Sequence, residues 1–128
     1  MKIKIILPVL FLLFFQFIGD CFAQSKIPDF KDLIGRWVRP DGGYTLVIKK
    51  VNDEGNMVAK YTNPNNINVA KAKASIESGK INLFVELQDV GYPGSYYTLV
   101  YDPDKDRLVG VYHRMVVEKK FDIFFVRE

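Results

Sequence analysis

After residue 33, hydrophobic and polar positions alternate with a period of two along most of the chain, the pattern of half-buried strands. A first strand begins near Ile34 and ends at Val38 and Arg39, before the turn Pro40-Asp41-Gly42-Gly43. The next strands are predicted over 44–51, 56–61, 67–76, 80–88, 95–102, 107–115 and 120–127. Between them lie Asn52-Asp53-Glu54-Gly55, Asn63-Pro64-Asn65-Asn66, Glu77-Ser78-Gly79, the longer loop Gly91-Tyr92-Pro93-Gly94, and Pro103-Asp104-Lys105-Asp106. No segment after residue 23 carries the periodicity of a long amphipathic helix.

The alternation also sorts the side chains by face. One set contains Tyr44, Leu46, Ile48, Met57, Ala59, Tyr61, Ala70, Ala72, Ala74 and Ile76. It continues through Ile81, Leu83, Val85, Leu87, Tyr97, Leu99, Tyr101, Leu108, Gly110, Tyr112, Phe121, Ile123 and Phe125. The opposite set holds Lys49, Lys60, Lys71, Lys73, Asn82, Glu86, Gln88, Thr98 and Asp122. The first set is the interior, because a slip of one residue would bury the charges of the second. Short strands joined by short turns predict an all-β, eight-stranded antiparallel up-and-down meander, closed into a barrel so that no long edge is exposed. The inward row Ala70, Ala72, Ala74 either makes room for bulky residues across the barrel or leaves a cavity beside it.

The start of the chain reads differently. Lys2 and Lys4 precede an apolar run from Ile5 to Ile18, and Gly19-Asp20-Cys21-Phe22-Ala23 ends it with a small residue. This is the pattern of a secretory signal peptide over 1–23, removed after Ala23, and the run is short for a membrane span. Lipid attachment at Cys21 would need a small residue before it, and Asp20 is a poor fit. Removal of residues 1–23 from the 128 leaves 105 residues, enough for one small domain: a plug segment over 24–33 and a barrel over 34–128. The sole cysteine leaves with it, which excludes thiol catalysis, disulfides and cysteine-held metals. The formal net charge falls from +3 to +2, because Lys2, Lys4 and Asp20 all lie in the leader. The expected location is the periplasm or the outside of the cell.

Gly35-Arg36-Trp37 opens the first strand and Arg127 ends the last. This arrangement resembles that of the calycins, the lipocalins and avidin-like barrels. There a Gly-x-Trp starts strand one and an arginine from the last strand lies across the indole at the barrel floor. The resemblance implies a structural floor of Gly35, Trp37 and Arg127, and it spans residues 34–127. Leu108-Val109-Gly110-Val111-Tyr112 is similar to strands of avidin-like domains, and Ile27 to Leu33 to the short plug under lipocalin barrels, with Phe30 and Leu33 covering the floor. An avidin-type biotin pocket is a box of several tryptophans; Trp37 is the only one here, so biotin is not expected.

Catalytic chemistry has little to work with. His113 is the only histidine and has outward parity. None of the serines after the leader stands in a Gly-x-Ser-x-Gly elbow, and no inward carboxylate pair is visible, so no enzyme is expected. Asp102, Asp104 and Asp106 lack the glycine and glutamate of a calcium loop, which Arg107 and His113 replace; no metal or cofactor is expected. The lysines are dispersed among acids, which argues against nucleic acid.

Tyr44, Tyr61, Tyr97, Tyr101 and Tyr112 share inward parity, and a buried hydroxyl needs a partner. With Ala72 they form a candidate lumen site for a small apolar or aromatic ligand. Alternatively, the hydroxyls bond each other in a filled barrel, and the protein works as a periplasmic interaction module such as an enzyme inhibitor or envelope assembly subunit. Phe84 and Phe124 point outward with Val109, Val111 and Val126, a patch that could pair two copies into a homodimer.

Overall fold

The alternation becomes one antiparallel sheet in the computed structural model, which describes residues 27–128. The predicted leader and its cleavage point lie outside the described residues. The strands are β1 Gly35–Val38, β2 Thr45–Val51, β3 Met57–Asn63, β4 Asn65–Ile67 and β5 Val69–Glu77. They continue as β6 Lys80–Asp89, β7 Tyr92–Asp102, β8 Arg107–Arg114 and β9 Lys119–Arg127. Their order in the sheet is β4-β3-β2-β1-β9-β8-β7-β6-β5, so every neighbour in space except the β1–β9 pair is a neighbour in sequence. The fold is a nearly closed up-and-down barrel.

Among the described residues there are nine strands where the alternation predicts eight. The stretch 67–76, read as one strand, is divided at Asn68. Ile67 pairs with Tyr61 on β3, whereas Val69 pairs with Leu87 on β6. The chain therefore steps at Asn68 from one edge of the sheet to the other. The step is held by Gln88 N–H donating to the Asn68 carbonyl at 3.0 Å and Asn68 N–H donating to Asp89 Oδ2 at 3.0 Å. The other end of the seam is pinned by an Asn56–Lys73 bridge and by Ala74 N–H donating to the Gly55 carbonyl at 2.7 Å. Gly55 has φ +86°, and a Cβ there would lie 1.9 Å from the Ala74 oxygen. Only glycine permits that approach.

A bulge shifts the alanine row. Val69 faces Leu87 and Lys71 faces Glu86, which leaves Ala70 as the extra residue and turns it to solvent. The inward row is Val69, Ala72, Ala74, not Ala70, Ala72, Ala74. Two more residues assigned to the interior are exposed: Ile76 at 49% and Phe121 at 40%. Both keep inward parity but stand near strand ends, where no opposite wall covers them. The expected loop over 91–94 is shorter than its composition predicts. Gln88 pairs with Pro93 and Asp89 with Tyr92, so only Val90 and Gly91 turn the chain.

The rest of the inward set is the core. Trp37, Leu46, Tyr61, Val85, Leu87, Tyr97, Leu108 and Phe125 have no exposed surface. Burying an aliphatic or aromatic side chain of this kind contributes about 1.5–3 kcal/mol. Beneath the barrel, Asp29 accepts from Lys31 N–H and starts a short 3₁₀ turn over Phe30–Leu33. Leu33 is fully buried there, and Phe30 packs against the core.

Candidate functional site

The inward residues separate into two ends of the barrel. The floor is built on Trp37, whose indole N–H donates to the Leu33 carbonyl at 2.9 Å. The Arg127 guanidinium lies 4.2 Å from the indole ring centroid. It donates to the carbonyls of Ile34 and Asp32 at 2.9 and 2.5 Å, and to both carboxylate oxygens of Asp106 at 2.7 and 3.1 Å. Every N–H of the fork that reaches these groups is charge-assisted. Gly35 has φ +150°, and a Cβ on it would sit 2.6 Å from Arg127 Nη1, so glycine makes room for the guanidinium. Tyr101 belongs to this end. Its ring meets Trp37 edge-on at 6.0 Å and its hydroxyl donates to Asp106 Oδ1 at 2.9 Å. Parity alone groups Tyr101 with the other tyrosines; its height along β7 separates it from them. Asp106, at φ +50° in the β7–β8 turn, reads in the sequence as a turn residue and as the third acid of an incomplete calcium loop, not as a partner of Arg127.

The opposite end, the mouth, gathers Tyr44, Tyr61, Tyr97 and Tyr112. Their rings run side by side: Tyr44 to Tyr61 at 6.3 Å, Tyr61 to Tyr97 at 5.7 Å, and Tyr97 to Tyr112 at 4.7 Å. The hydroxyls of Tyr61 and Tyr97 bond each other at 2.7 Å. Above them lies Arg39, only 6% exposed. It donates to the Tyr97 hydroxyl at 2.9 Å and to Asp41 at 2.9 and 2.6 Å, and it covers the Tyr44 ring at 4.2 Å. Ala72 is half-buried on the barrel wall, beside its ladder partner Val85 on β6. Farther out, Asn63 donates to the Tyr92 hydroxyl at 2.8 Å, and buried Ser95 accepts from Met115 N–H at 3.2 Å.

Arg39 is the residue that sequence reasoning missed. It sits two positions after Trp37, so its parity is inward, but it falls at the end of the first strand, directly before the turn Pro40-Asp41-Gly42-Gly43. Its electrostatics are one-sided. Burial works against its charge, but the bonds to Asp41 and Tyr97 outweigh that and raise its pKa further. Burial lifts the Tyr61 phenol well above its ordinary value. Burial likewise pushes Tyr97 up to about 12, although its bonds to Tyr61 and Arg39 pull the other way. Both phenols are therefore neutral near pH 7. Among the described residues, no buried side-chain nitrogen or oxygen lacks a hydrogen-bond partner.

Two concave surfaces lie away from this network. One, about 310 Å³, opens through the unpaired middle of the seam and is lined by Lys49, Ala59, Lys60, Asn66, Ile67, Asn68 and Val69. The other, about 360 Å³, lies under the floor between the 3₁₀ segment and the β2–β3 turn, with Phe30, Val51 and Ile76 in its walls. Neither is lined by a tyrosine.

On the outside, Phe84, Tyr96 and His113 form an aromatic ladder across β6, β7 and β8. Phe84 lies 5.4 Å from Tyr96, and His113 stacks on Tyr96 at 4.2 Å. Burial, and then the neighbouring Lys120, lowers the His113 pKa, so the ring is neutral near pH 7. Phe124, 38% exposed, pairs with Val109, 44% exposed. Among the described residues, no cluster of three or more metal-ligating side chains occurs, and no helix is long and apolar enough to cross a membrane.

Comparison with protein-family models, curated proteins and solved structures finds no match for this chain. The fold and its two ends rest on the geometry described above.

Proposed function

We propose that this chain is an exported, non-enzymatic barrel of calycin type that acts through its surface, as an interaction module, and not as a carrier with an open lumen. The calycin-type reading is supported by the floor, where the Arg127 guanidinium lies over the Trp37 indole beside Gly35. The observation that carries the functional reading is the closed mouth. Tyr61 and Tyr97 are fully buried and bonded to each other, with Arg39 laid over them and anchored to Asp41. A ligand entering that space would have to displace a charged, hydrogen-bonded side chain together with its aromatic contacts, a cost of several kcal/mol. The outward aromatic ladder and the Phe124–Val109 pair are then the surfaces open to a partner, a second copy included.

Ala72→Phe tests the closed lumen. In a filled barrel the larger ring overpacks the wall and destabilises the protein by about 1–3 kcal/mol. The parent protein should also leave an environment-sensitive apolar dye unbound. A variant as stable as the parent, together with a parent that takes up the dye and a variant that does not, would replace this reading with that of a small-ligand carrier.

A further inference from the structure

The β8–β9 connection at the mouth breaks two rules of soluble surfaces at once. Met115, Val116 and Val117 form a single 3₁₀ turn and stand 47%, 53% and 43% exposed. Three consecutive exposed apolar residues at a hairpin tip are retained only where they do something. Directly behind the tip, Arg114 pairs across the ladder with Lys119, and His113 with Lys120. Like charges placed opposite each other destabilise a hairpin. Arg114, Lys119 and Lys120 are all exposed, and no ion pair relieves them among the described residues. Glu118 is the only acid in the segment 114–120. In the neighbouring mouth turn, Val90 is 95% exposed, and the adjacent Asp89 accepts hydrogen bonds from the Asn68 and Val90 amides.

We infer that the barrel mouth docks on an anionic lipid surface, with Met115–Val117 entering the headgroup layer and Arg114, Lys119 and Lys120 meeting the phosphates. The order of the groups carries the argument. Along the hairpin the apolar residues lie beyond the last ladder pair, and the cations follow one and two register steps behind, at roughly 3.3 Å per step. That stacking matches the depth of about 5–10 Å to which interfacial apolar groups sink, with the phosphate charges just above. A protein partner would need an apolar pocket of matching shape rimmed with carboxylates, whereas a bilayer supplies both layers without shape complementarity. The proposal makes no use of the lumen, so it stands or falls independently of the Ala72→Phe result.

The test is co-sedimentation with vesicles of phosphatidylcholine alone and of phosphatidylcholine mixed with phosphatidylglycerol. It uses protein recovered after export, with its N-terminus read by mass spectrometry. Binding is expected to the mixed vesicles and to weaken as salt is raised. Each of Arg114→Gln and Lys119→Gln should lower the partition coefficient roughly fivefold. The pair Val116→Asp and Val117→Asp should abolish binding while leaving the melting temperature within about 2 °C, because both side chains are half exposed. A parent that ignores both kinds of vesicle would overturn the proposal. Binding that survives the aspartate variants would overturn it too, by placing the contact elsewhere on the chain.

Discussion

Arg127→Ala is the most informative single change at the floor. It removes the cation from the Trp37 face, worth about 0.5–2 kcal/mol. It also removes charge-assisted bonds to the Ile34 and Asp32 carbonyls and to Asp106. A dry bond of that kind contributes about 1.5–3 kcal/mol. The Arg127 side chain is 30% exposed and Asp106 44%, so water replaces part of what is lost, and the Asp106 pair counts as a surface bridge of about 0–1 kcal/mol. The expected cost is about 3 kcal/mol, or a melting temperature lower by roughly 10–20 °C for a domain of this size. Arg127→Lys keeps the charge but cannot span the carbonyls and the carboxylate together, so it should recover less than half of that stability. Urea denaturation measures the free energies, and an unchanged slope would show that the unfolded state is unaffected. Trp37 is the only tryptophan and is fully buried, so its emission reports on the floor directly. Arg127→Ala should red-shift that emission in the folded state as water reaches the indole. A midpoint and an emission maximum both unchanged would refute the floor as a source of stability.

Two further outcomes are expected. The Arg39 guanidinium bonds the Asp41 carboxylate and holds its pKa below the ordinary value. A depressed folded-state pKa stabilises the protein above the unfolded value near 4, and the gain is lost as pH falls through the folded value. Parent minus Asp41→Asn stability should therefore be positive at pH 7 and shrink toward pH 3. With Asp41 56% exposed it should amount to about 0.2–1 kcal/mol, and a gap that does not change with pH would contradict the pairing. For export, the mass of the secreted protein should correspond to an N-terminus at Gln24; a mass that includes a lipid on Cys21 would make the protein membrane-anchored instead.

The faces of the strands were readable from the chain alone. Period-two alternation cannot be slipped by one residue without burying lysines, so Leu46, Ile48, Leu83, Val85, Leu99, Leu108, Ile123 and Phe125 were legible as core. The pairing of Trp37 with Arg127 came from the calycin resemblance, and the closed meander brings those two chain ends together. Tertiary structure decided what parity does not encode. The step at Asn68 and the bulge at Ala70 depend on which edge each half of the stretch 67–76 meets, a long-range pairing with no local signal. Height along the barrel moved Tyr101 to the floor and left Ile76 and Phe121 uncovered, since parity gives the side of a strand but not whether a wall stands opposite. Arg39 was buried for the same reason reversed: at a strand end that reads as leaving the barrel, the rings of Tyr44, Tyr97 and Tyr112 and the carboxylate of Asp41 close around its charge.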